Sequence, residues 1–158
     1  MDITLLVFYA VLALGVSFIC SILEAVVLSV PHTYIAVLQK EGKKSGDTWS
    51  HLKDDDAVKP LTSILTLNTI AHTMGAAGVG SQVQTVLGEE YLTIASIILT
   101  VAVLFFSEIV PKTLGTAYWK QLAPITGILL TYLVKILILM PKHFLLPPPH
   151  FAGQALQS

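Results

Sequence analysis

The sequence predicts an all-α membrane protein: three transmembrane helices, a cytoplasmic helical hairpin after the first, and an amphipathic juxtamembrane helix after the third. Three observations carry that reading. Of the 158 residues, 54% are hydrophobic and only 12% charged, against about 25% charged in an ordinary globular domain. Apolar stretches long enough to cross a ~30 Å hydrocarbon layer, for which ~20 helical residues suffice, occupy residues 3–30, 60–86 and 91–110. Five of the nine basic residues, Lys40, Lys43, Lys44, Lys53 and Lys59, are gathered between the first two stretches.

The first segment is free of charge from Ile3 to Leu23 and stops before Pro31. A secretory signal carries basic residues ahead of its apolar core, and here only Met1 and Asp2 precede it, so this helix is expected to be retained. Ser17, Ser21, Glu24 and Leu28 recur at helical spacing, which puts the polar groups on one stripe that must face protein rather than lipid. Ser17 and Ser21 have an alternative in bonding back to their own helix. Glu24 has none.

Residues 32–59 read as a water-facing hairpin of one or two short helices, with Ser45-Gly46-Asp47-Thr48 as its turn. The lysines place it in the cytoplasm and the N-terminus outside. Asp54-Asp55-Asp56 fits a solvated helix start better than a divalent-ion site.

Pro60 suits the first turn of the second segment. Asn68, His72 and Gly75 then stand at i, i+4 and i+7 on one face. The amide oxygen of Asn68 is a hard donor, which makes it a better cation ligand than His72. The small residues from Gly75 to Gly80 permit close helix approach or a locally opened backbone.

Gly88-Glu89-Glu90 is an acidic outer turn, and the third segment ends at Ser107-Glu108-Ile109-Val110-Pro111-Lys112. A charged side chain at membrane depth costs roughly 2.5–3.5 kcal/mol on insertion scales unless it meets a cavity, a partner or an ion. Pro111 has no N–H, and its ring displaces the carbonyl four residues back, that of Ser107. A freed carbonyl, a hydroxyl and a carboxylate within one turn are hard oxygen ligands of the kind Mg²⁺ or Na⁺ uses. The competing reading is that Pro111 merely ends the helix while Glu108 pairs with Lys112 at the water interface. Glu24 and Glu108 fall at similar depth, so Ser21, Glu24, Asn68, Ser107 and Glu108 are expected around one inward-facing pocket, with Ser17, His72, Gly75 and Pro111 as secondary members.

Residues 120–141 enclose an apolar run bracketed by Lys120 and Lys142 and interrupted by Lys135. That pattern fits a helix along the inner interface, its lysines reaching the headgroups, although hydropathy alone also permits a crossing. The membrane domain is thus placed at 1–142. Residues 143–158, with Pro147-Pro148-Pro149, read as an extended linker.

A net charge of −1 gives no footprint for nucleic acid. Cys20 stands alone, so no intrachain disulfide forms. The five histidines make no His-x-x-x-His or Glu-x-x-His pair, and no residue set suggests an enzyme.

The stretch Ser107-Glu108-Ile109-Val110-Pro111-Lys112-Thr113-Leu114-Gly115 resembles the Ser-Glu-Ile-hydrophobic-Pro-Lys-Thr signature of the CorC/CNNM family of magnesium transport proteins. Ser21-Ile22-Leu23-Glu24-Ala25-Val26-Val27-Leu28-Ser29 is similar to that family's Ser-Gly-Ser-Glu-Thr-Ala-x-x-Ser pattern, and Leu67-Asn68-Thr69-Ile70-Ala71-His72 to its Gly-Asn-x-x-x-Asn. The resemblance covers roughly residues 3–142. It implies a homodimer in the plasma (inner) membrane, N-terminus outside and C-terminus cytoplasmic, with a belt-like juxtamembrane helix. It also implies a dehydrated Mg²⁺ held by serine, asparagine, glutamate and backbone oxygens. Leu23 and His72 depart from the pattern, standing where the family has serine and asparagine. The family usually continues into cytosolic nucleotide-binding CBS modules, which these residues do not include. The expected function is transport of a small hard cation, Mg²⁺ with Na⁺ as counter-ion; the alternative is a membrane-anchored dimeric scaffold or regulatory module that moves nothing.

Overall fold

The computed structural model describes residues 2–139, and all its regular elements are helical. The expected linker, 143–158, and the end of the expected juxtamembrane helix, 140–141, lie outside the described residues. Helix α1, Asp2–Ser29, is followed by Pro31 and a hairpin of α2, His32–Lys40, and α3, Lys44–Leu52. The bend falls at Gly42, with φ +68°, a left-handed conformation that a side chain disfavours, and not at the expected 45–48, which lie inside α3. At the crossing, a Cβ on Gly46 would stand 2.7 Å from the backbone nitrogen of Gln39, so α3 lies against α2 only because position 46 has none.

A 3₁₀ turn, Asp54–Ala57, leads into α4, Val58–Val86. Helix α4 packs along α1 more extensively than any other two elements pack. The close approach expected of the small-residue run is made at two places: Gly75 seats on the side chain of Ala13, and Gly78 on the ring of Tyr9. The two helices are antiparallel, since a step along α1 from Tyr9 to Ala13 is matched by a step back along α4 from Gly78 to Gly75.

After a second 3₁₀ turn, Glu89–Tyr91, the chain runs through α5, Leu92–Ala102, a π-helical stretch, Val103–Ile109, and α6, Val110–Ala117. Pro111 therefore does not end the helix. It occupies the opening turn of α6, which continues directly from the π-helical stretch. The last helix, α7, is Trp119–Leu139. Trp49 of α3 is buried and donates its indole N–H to the Ala123 carbonyl at 3.0 Å, with Gly127 leaving room for the ring. The hairpin is thereby fixed to α7, and Val26, Val27, Val30, Ile35, Trp49, Ile64 and Leu130 form the apolar core where α1, the hairpin, α4 and α7 converge.

Among the described residues three helical runs are long and apolar enough to cross a membrane: Ile3–Ser29, Glu89–Ala117 and Trp119–Leu137. The chain is an all-α membrane protein. By this criterion of length and hydropathy α7 qualifies in place of α4, which covers the span expected at 60–86. Helix α4 is long enough at 29 residues, but Asn68, His72, Gln82, Gln84 and its many hydroxyls lower its hydropathy.

Candidate functional site

The π-helical stretch is the centre of the site, and Pro111 accounts for it. In an α-helix the Ser107 carbonyl would accept the N–H of residue 111, which proline lacks. The backbone widens here instead, and the Val110 N–H reaches the Phe105 carbonyl five residues back. The freed Ser107 carbonyl is taken up from across the fold, where the Ser21 hydroxyl donates to it at 2.6 Å. The Ser107 hydroxyl in turn donates to the Leu14 carbonyl on α1 at 3.0 Å. Both serines are buried. Because each hydroxyl spends its hydrogen on a carbonyl, its oxygen lone pairs remain available to a cation.

The register between α1 and α4 places the other candidates. Ser17 Oγ and His72 Nε2 are hydrogen-bonded at 2.9 Å, the donor depending on the imidazole tautomer. One turn further along α1 and one turn back along α4, the antiparallel packing sets Asn68 beside Ser21. The Asn68 Oδ1 is buried and, among the described residues, has no hydrogen-bond partner. An unsatisfied buried acceptor costs about 1–3 kcal/mol, so this oxygen is where a missing ligand would be felt.

The two carboxylates look in different directions. Glu108 Oε1 lies 4.0 Å from His72 Nε2. Glu24 Oε2 lies 3.3 Å from the Lys112 ammonium. The pairing of Glu108 with Lys112 considered from the sequence is thus not the one formed, because the π-helical turn directs Glu108 toward α4 while α6 holds Lys112 against α1. A Cβ on Gly115 would stand 2.7 Å from that of Ala25, which shows how closely α6 is seated there.

A groove of about 310 Å³ runs from His72 and Glu108 past Ala13, Ala76, Thr100 and Val103. It extends toward the N-terminal half of α1, and its described lining does not include Glu24 or Asn68. The structure therefore makes two sets of direct contacts, Ser21 with Ser107 and His72 with both Ser17 and Glu108, and sets Asn68 and Glu24 at their margin. Gly75 acts by allowing the helices to touch and Pro111 by freeing a carbonyl. Lys112 was missed as a member of the site, although the cost of burying charge that singled out Glu108 applies to it equally. Among the described residues no three His, Cys, Asp or Glu side chains cluster. A cation here would rely on carboxylates supplemented by neutral oxygens, the donor set of a hard ion.

A family model for the cyclin M transmembrane N-terminal domain matches residues 8–146. The UPF0053 protein sll1254 of Synechocystis sp. is 29% identical over 136 residues, covering 86% of this chain and 38% of that protein. The chain thus spans less than two fifths of that relative's length.

Proposed function

Because this chain belongs to the CNNM family through its transmembrane domain, we propose that it binds a small hard cation, Mg²⁺, and carries it across the membrane in exchange for Na⁺. The observation that carries this reading is the unpartnered, buried Oδ1 of Asn68. The Ser21 and Ser107 hydroxyls and the Ser107 carbonyl are hard oxygens on the neighbouring helices, and Glu24 and Glu108 together carry the charge that matches a divalent ion. In this reading the serines and Asn68 replace water oxygens, and Glu24 and Glu108 supply the charge that makes dehydration tolerable.

Packing supports the membrane arrangement of this reading. Helix α4 touches α1 from Tyr9 through Ser17, so it shares the depth of an apolar helix and crosses beside it, its polar side chains satisfied by α1 rather than lipid. The lysine-rich hairpin then lies in the cytoplasm and the N-terminus outside, in the plasma membrane. The functional unit is a homodimer. The exposed apolar side chains Ile94, Ile98 and Val101 of α5 and Phe105 of the π-helical stretch face lipid or the second copy.

The alternative is a dimeric scaffold, favoured by the Glu24–Lys112 pair, which gives one carboxylate a structural partner. Glu108→Gln decides between them. Mg²⁺ flux into liposomes is measured for wild type and variant, with melting temperature alongside. Loss of a full charge from a low-dielectric site is expected to weaken binding by more than about tenfold and to abolish flux in a folded protein. Flux that survives the substitution removes Glu108 from the ligand set, and absence of wild-type flux favours the scaffold.

A further inference from the structure

The Glu24–Lys112 pair has a second consequence, which rests on the cation-transport reading. The Lys112 ammonium sits 3.3 Å from Glu24 Oε2, the Glu24 side chain being 23% exposed and that of Lys112 45%. A carboxylate at this depth is expensive to leave uncompensated, and here a cation belonging to the protein itself compensates it. An ammonium has three donors and no acceptor, so Lys112 cannot become a ligand when a metal ion reaches Glu24. It must give way. Its backbone is not free to move, because Gly115, within a turn of it, is pressed against Ala25 and the Ile22 carbonyl. Movement therefore falls to the flexible four-carbon stem, which is only partly enclosed.

We propose that Lys112 is a tethered counter-ion: it neutralises Glu24 whenever the cation site is vacant and is displaced by the arriving ion. The metal competes with it for one carboxylate. That competition lowers affinity, hastens release, and lets the vacant protein change conformation without carrying a bare charge through the membrane. Lys112 is thus a specificity and turnover residue that never touches the transported ion.

The test is titration calorimetry of MgCl₂ into the purified full chain, for wild type, Lys112→Met, Lys112→Gln and Lys112→Arg, with Mg²⁺ flux measured in liposomes. Removing the ammonium is expected to tighten Mg²⁺ binding roughly fivefold, about what a half-exposed ion pair contributes, and to slow flux at saturating Mg²⁺. Lys112→Arg is expected to stay near wild type in both. Equal or weaker Mg²⁺ binding in the neutral variants overturns this inference alone. If both neutral variants fail to fold while Lys112→Arg folds, the pair is structural and the inference also falls. A folded wild type that binds no Mg²⁺ overturns the transport reading, and this inference with it.

Discussion

Ser21 donates its hydroxyl hydrogen to the carbonyl of Ser107, 86 residues away in sequence, at 2.6 Å. This bond stands in for the one that Pro111 cannot donate. It ties the first helix to the π-helical stretch, so the irregular backbone and the polar stripe on α1 depend on each other.

Ser21→Ala leaves the Ser107 carbonyl buried without its donor and is expected to destabilise the protein by about 1–3 kcal/mol. Pro111→Ala restores a backbone donor, so in that background the same substitution is expected to cost less than half as much. Thermal unfolding of both single variants and the double variant measures this coupling; additive losses would show that the two residues act independently.

Gly75→Ala drives a methyl group into the side chain of Ala13. A loss of about 1–3 kcal/mol is expected, the usual penalty of overpacking, and Ala13→Gly in the same chain is expected to recover part of it. Gly15→Ala is the control. A Cβ at that position meets nothing within 4 Å, and helix propensity favours alanine by about 1 kcal/mol. Melting temperatures that fall equally in both alanine variants would contradict the contact.

Asn68→Val removes a buried oxygen that has no partner. Without added cation the variant is expected to melt at or above the wild-type temperature, since a desolvated polar group is gone. With Mg²⁺ the order is expected to reverse. A bound ligand stabilises by about 2.7 kcal/mol at a hundred times its dissociation constant, and only the wild type gains this. A variant that melts lower without Mg²⁺ and gains equally from it would remove Asn68 from the site.

His72→Asn replaces an imidazole, which suits transition metals, by a hard amide oxygen. Mg²⁺ binding is expected to tighten several-fold by calorimetry despite loss of the contact with Ser17. Unchanged affinity would mean that His72 serves packing alone.

Much of the site was legible because its signals are local. The frequency and placement of charge marked a membrane protein. The missing N–H of Pro111 pointed to the Ser107 carbonyl before any fold was known. Helical spacing put Ser17, Ser21 and Glu24 on one stripe and Asn68, His72 and Gly75 on another. The spans were harder, because hydropathy measures a helix against lipid, and α4 meets α1 along much of its length. Its polar residues make it look unsuited to a membrane until the Ser17–His72 contact shows where one of them goes.

The sequence by itself determined that the chain is helical, that it lives in a membrane, and which faces of its helices are polar. Each of these follows from periodicity and composition within one segment. Only the tertiary structure decided that Glu24 takes Lys112 as its partner, that Glu108 turns to His72, and that Ser21 closes the bond Pro111 leaves open. Spacing fixes the face a side chain occupies on its own helix. The group it meets depends on the register between helices, which is set here by Gly75 against Ala13, Gly115 against Ala25, and a widened turn at residues 103–109.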